Sequence, residues 1–129
     1  PTADAVCARL VATRDVLVQP YLPSVEDHGE RALVWIDGAF THAVRKTPRF
    51  AGGVEQVSDA LPISAAELAT GTAALAGFGD EMLYARVDVA PGPDGVPVVM
   101  ELELVEPSLF LLQSPAALER LVAGVARRL

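Results

Sequence analysis

Asp88, in the run Tyr84-Ala-Arg-Val-Asp88, and the alternation Glu101-Leu-Glu103 beyond a Pro/Gly-rich turn put three carboxylates where a core strand is expected to be apolar. An ionised carboxylate taken out of water costs several kcal/mol unless a cation or a metal ion compensates it. A sheet built from these strands must therefore gather its acids around a shared counter-charge. Residues two apart on a strand face the same way. Glu101 and Glu103 thus project together, Met100, Leu102 and Leu104 face the other side, and Asp88 reaches the same spot from a hairpin partner.

Hard oxygen donors on rigid strands suit magnesium, which keeps several waters and pairs with nucleotide phosphates. The pattern points to a divalent cation site with a nucleotide as its second component. Glu-x-Glu alone also describes an exposed edge strand facing water. Arg86 alternates onto the acidic face, where it either neutralises the acids as a structural ion pair or steers an anionic substrate.

The rest of the chain reads as an α+β fold, a mainly antiparallel sheet with flanking helices. Thr2 caps a helix over about residues 3 to 13, with Cys7 packing beside Val6 and Leu10. Asp15 to Pro20 is short and β-branched and reads as a strand, followed by a polar, exposed stretch from Ser24 to Gly29. Arg31 to Ile36 and Ala39 to Val44 form a hairpin, because Asp37-Gly38 supplies the positive φ angles of a two-residue turn. Residues 48 to 55, with Gly52-Gly53, read as a mobile loop. Ser64 followed by Glu67 is a capping box opening a helix to about Ala76. Strands over Leu83 to Val89 and Val96 to Leu104 make a second hairpin, and a last helix starts at Ser114 as N-cap with Pro115 at its first position, closing near Arg127-Arg128.

A chain of 129 residues suffices for a single domain, residues 1–129, that buries about two-thirds of its unfolded surface. The 51% hydrophobic content is high for a soluble chain of this length, so the surplus belongs to core or to an interface, a homo-oligomer included. A formal charge of −7 argues against nucleic acid, which needs a basic stripe, and no apolar run approaches the length of a membrane span. One cysteine and no secretory segment make the cytoplasm the expected compartment.

With Asp88, Glu101, Glu103 and Pro107-Ser108 in this order, the chain resembles the ATP-grasp ligases. The likeness is to the glutathione synthetase and ribosomal S6 modification type, cyclising cycloserine-ligase-like members included. In that group a strand aspartate is followed by Glu-x-Asn and a proline; here Glu103 stands where asparagine is usual. Val18 to Arg31 is similar to the family's hinge strand and the residues after it, and the resemblance covers roughly residues 15 to 110.

The resemblance implies a C-terminal portion of an ATP-grasp domain, with the N-terminal substrate domain and the first ATP-grasp subdomain lying outside this chain and the isolated chain inactive. It implies that Gln19, Pro20, Tyr21 and Leu22 take adenine, that Met100 packs on the ring, and that Glu26 or Asp27 binds the ribose hydroxyls. Asp88, Glu101 and Glu103 would hold one or two magnesium ions, or manganese in their place. Arg31 and Arg86 would stabilise the transferring phosphoryl group, with Glu106 and Ser108 at the substrate end. The implied reaction is ADP-forming ligation of a small carboxylate and an amine through an acyl phosphate; a non-catalytic nucleotide- or metal-binding module, or an interaction domain, is the alternative. Lys46 is read either as a phosphate contact or as a solvated strand-end lysine, and Arg49 with Gly52-Gly53 either as a closing flap or as surface loop. His42 is read as an ordinary strand residue, His28 as loop surface, and Trp35 and Phe40 as core.

Overall fold

The computed structural model describes residues 2–47, 56–78 and 82–129. The expected loop at 48 to 55, with Arg49 and Gly52-Gly53, lies outside them. The order is α1 (Ala3–Val11), α2 (Ser24–His28), β1 (Glu30–Ile36), β2 (Ala39–Lys46), α3 (Ala65–Leu75), β3 (Tyr84–Pro91), β4 (Pro97–Glu103) and α4 (Pro115–Ala126). The four strands form one antiparallel sheet in the order β2-β1-β3-β4.

Asp37 (φ 48°) and Gly38 (φ 92°) make the tight turn joining β1 to β2, as the Asp-Gly pair demands. The pairing slips one residue beyond it: Trp35 faces Phe40 and Val34 faces His42, leaving Thr41 as a bulge. β3 lies between β1 and β4 and is buried from Ala85 to Ala90. A second bulge falls at Met100, because Asp88 pairs with Glu101 while Val89 pairs with Val99.

Each sheet face carries its own core. On one, Leu33, Ala43, Ala85, Val87 and Val89 pack with Leu75 of α3, and Gly71 lets that helix close in: a Cβ there would stand 2.7 Å from the Phe40 ring. Trp35 and Phe40 pack against this core, partly buried. Ser64 accepts from the Glu67 backbone N–H while the Glu67 carboxylate accepts from the Ser64 N–H, which completes the capping box. On the other face Val34 and Ile36 pack with Ala117 of α4 and with Leu109, Phe110 and Leu111 of the loop before it.

Three local expectations need correction. Asp15 to Pro20 forms no strand; Leu17 is fully exposed and Val18 largely so, because β-branched composition does not supply a hydrogen-bonding partner. Ser24 to Gly29 is not a wholly exposed stretch but the short α2 with Val25 buried, held by Ser24 Oγ donating to the Pro91 carbonyl at 2.6 Å. Ser114 makes no side-chain cap to α4, although Pro115 does open it. Helix α1 ends at Val11 with Thr2 as its cap and buries no residue, so Cys7 is only half-buried.

Candidate functional site

The register sets the chemistry in rows across one face. Lys46 pairs with Glu30, Asp88 stands between Ala32 and Glu101, and Arg86 between Val34 and Glu103. The bulge at Met100 permits this, because it keeps Glu101 opposite Asp88 after the strand has turned past Val99.

Asp88 is fully buried, yet it is amply compensated. Arg86 forks onto it, Nε donating to Oδ1 at 2.8 Å and Nη2 to Oδ2 at 3.0 Å, and Lys46 Nζ donates to Oδ2 as well. Lys46, the chain's only lysine, also pairs with Glu30 at 3.0 Å. Arg86 Nη2 reaches Glu103 Oε1 at 2.7 Å and lies 3.5 Å from Glu101 Oε2, and the Phe110 ring sits 5.8 Å from its guanidinium carbon. Burial alone would make both cations easier to deprotonate. The bonds and charges of Asp88, with Glu30 for Lys46 and with Glu103 and Glu101 for Arg86, override it and hold both pKa values above their ordinary range.

Among the described residues, four carboxylates against two cations leave this face with surplus negative charge. Glu101 carries the consequence: partial burial, then the neighbouring charges of Glu103 and Asp88, raise its pKa. Its side chain is 54% exposed and its nearest cation among the described residues is at the limit of contact. Among the described residues no three such groups already converge on a point that would hold an ion. The donor set nevertheless fits a hard divalent cation: all oxygen, net negative, with Glu101 short of a counter-charge.

Beside this face Gln19, Pro20, Tyr21 and Leu22 line a cleft of about 250 Å³ with Val25, Glu30 and Met100. That is smaller than typical drug-sized ligand pockets and of a size for one flat heterocycle. Tyr21 donates its hydroxyl to Glu26, and this bond raises the Tyr21 pKa. The Asp27 backbone carbonyl accepts from Arg45 Nη2 at 2.7 Å. The cleft adjoins the charged face through two residues. Met100 precedes Glu101, and Glu30 both lines the cleft and pairs with Lys46.

Arg31 is not brought to this site. It pairs with Val89, one step out of phase with Asp88, so it lies on the α3 face, where Nε donates to Glu67 Oε1 at 2.8 Å and Nη2 to the Pro62 carbonyl at 2.7 Å. Glu106, with φ 48°, and Ser108 stand exposed in the loop after β4, without a side-chain bond among the described residues. Sequence reasoning missed Glu30 and Phe110. Strand parity with Ala32 and Val34 marks Glu30 for the acidic face, whereas nothing local marks Phe110 as the cover of Arg86. His42 is more than an ordinary strand residue. It is buried, its Nδ1 lies 2.9 Å from Thr41 Oγ1, and its Nε2 has no hydrogen-bond partner among the described residues.

No family model matches the chain. It is 37% identical over 136 aligned positions to the cycloserine biosynthesis protein DcsG of Streptomyces lavendulae, covering 95% of this chain and 45% of that protein. The crystal structure of D-cycloserine synthetase DcsG superposes with a TM-score of 0.75 at 35% identity, over 85% of this chain and 41% of that one. Its fold is that of an ATP-grasp segment. The segment spans less than half of the relative it matches. Within the ATP-grasp segment, the four-stranded antiparallel sheet carries the acidic face and the adjoining cleft. No helix among the described residues is long and apolar enough to cross a membrane.

Proposed function

We propose that this chain supplies the adenine and metal half-site of an ATP-dependent, ADP-forming ligase that joins a carboxylate to an amine, in one substrate or two, as the C-terminal portion of a longer enzyme. The observation that carries the reading is the continuity at Met100-Glu101. One residue lines a cleft of heterocycle size, and the next stands on an acidic face with its charge only partly offset among the described residues. The likeness to a cycloserine synthetase supports the same reaction class.

In this reading Gln19 to Leu22 and Met100 hold adenine, and Glu26 or Asp27 takes the ribose hydroxyls. Glu101 holds magnesium, and Asp88 joins it as the nucleotide phosphates draw Lys46 off its Oδ2. Bound there, the ion would neutralise phosphate charge and orient the terminal phosphoryl group. A carboxylate oxygen of the substrate attacks the γ-phosphorus and ADP leaves. The amine nitrogen then attacks the acyl carbon, releasing inorganic phosphate and one proton. Arg86 and Lys46 stand where they meet the anionic groups, and their raised pKa values keep them cationic through both steps. Arg31 serves instead to hold α3 to the sheet.

Calorimetry with ATP and magnesium tests the half-site, comparing this chain with Asp88→Ala/Glu101→Ala. Binding that needs the metal and weakens at least about tenfold in the variant is expected. Equal binding by both proteins would refute the metal assignment.

A further inference from the structure

Glu101 and Glu103 share a face and a residue type, yet the register gives them different neighbours. Glu101 stands opposite Asp88, more than half exposed, with only a long contact to Arg86 among the described residues. Glu103 stands opposite Arg86, 28% exposed, and accepts a 2.7 Å charge-assisted bond from its Nη2.

We infer that Glu103 is the positioning residue of Arg86 and not a ligand of the metal. The inference rests on the proposed role of Arg86 as an anion-binding group. Three groups fix the guanidinium: Asp88 takes the Nε/Nη2 edge, Glu103 takes Nη2, and the Phe110 ring lies under its central carbon at 5.8 Å. Nη1 has no partner among the described residues. Arg86 as a whole is 7% exposed, and Nη1 is not among the fully buried polar atoms left without a partner, so it keeps part of that exposed surface. Its two N–H donors are the edge presented to a phosphoryl or carboxylate oxygen. A guanidinium binds such oxygens best when its plane is fixed beforehand, because less conformational freedom is lost in forming the contact. A neutral, shorter side chain at position 103 would neither reach Nη2 as closely nor form a charge-assisted bond. An acid at this place therefore tightens the arginine at the expense of a metal ligand.

The test uses this chain labelled with ¹⁵N-arginine, the Arg86 signals being assigned with Arg86→Lys. Rotation of the guanidinium about Nε–Cζ is read from its Nη1 and Nη2 signals, and Mn²⁺ affinity is read by paramagnetic resonance of the free ion. Glu103→Ala is expected to speed the rotation about tenfold while shifting Mn²⁺ affinity by less than about threefold. Glu101→Ala is expected to do the reverse, and Glu103→Gln, nearly isosteric, to give intermediate rotation. If Glu103→Ala is not folded, the Gln variant carries the comparison. Weakened Mn²⁺ binding on substitution of Glu103, with Arg86 rotation unchanged, would overturn the inference. Mn²⁺ binding indifferent to Glu101→Ala would instead refute the proposed metal site, leaving the rotation measurement to decide the role of Glu103.

Discussion

The buried charge at Asp88 sets the terms at the scale of single residues. Removing one partner of a buried pair strands the other, at a cost of about 3–5 kcal/mol, whereas replacing both with apolar groups is close to neutral. Arg86→Leu is therefore expected to lower unfolding free energy by that amount in urea, and Asp88→Leu/Arg86→Leu to recover most of it. A double variant no more stable than the single would show that Lys46 alone satisfies Asp88. His42 gives a second expectation, in pH. Its folded-state pKa is lowered, chiefly by burial, so the folded chain holds it neutral while the unfolded chain takes up a proton near pH 6.5. The unfolded state binds more protons as pH falls below that value. The stability His42 contributes is thus intact above it and is lost progressively as pH drops towards the lower folded value. His42→Gln should flatten the dependence of urea midpoint on pH between about 7 and 5. An unchanged slope would place the acid sensitivity elsewhere.

At the scale of elements, α3 is fastened by one carboxylate. Glu67 caps its own helix and binds Arg31 of β1, so Glu67→Ala is expected to cost about 1–2 kcal/mol and leave a mostly buried guanidinium without its acid. Although burial opposes it, the bonds from Arg31 and Ser64 lower the Glu67 pKa. This support is full above about pH 4.5 and disappears as pH falls through the depressed value. Gly71→Ala is expected to cost about 1–3 kcal/mol, because a Cβ would meet the Phe40 ring inside van der Waals contact. Thermal unfolding checks both, and a stable Gly71→Ala would mean that Phe40 swings aside. Features with local causes were legible in the sequence: the Asp37-Gly38 turn, the Ser64/Glu67 capping box, and the hairpin that brings Asp88 to Glu101. What escaped is what long-range register decides. Arg31 was expected beside the acids, but a single step of pairing phase sends it through to the far face. The would-be strand at 15 to 20 met no partner, and Phe110 reached Arg86 through the packing of α4, which no spacing encodes.

On the scale of the whole molecule, stability is distributed unevenly. Helix α1 buries nothing and the segment after it exposes Leu17 and Val18, whereas β1 and β3 are sealed on both faces. Amide hydrogen exchange should therefore run several orders of magnitude faster in α1 than in β3. Comparable protection would mean that α1 docks on a second molecule in solution. The β1–β2 turn is held from far along the chain. Arg120 donates to the Ile36 carbonyl at 2.7 Å and to that of Asp37 at 2.5 Å, while the Asp37 carboxylate accepts from Arg127 and, at 2.9 Å, from Arg128. These bonds close loops of more than eighty residues, and closure of that length comes late in folding. During synthesis the hairpin leaves the ribosome well before the helix that clasps its tip. Phe110 can settle beside Arg86 only after α4 has been made, so the ion-pair network around that arginine is the last part of the sheet face to be completed in a nascent chain.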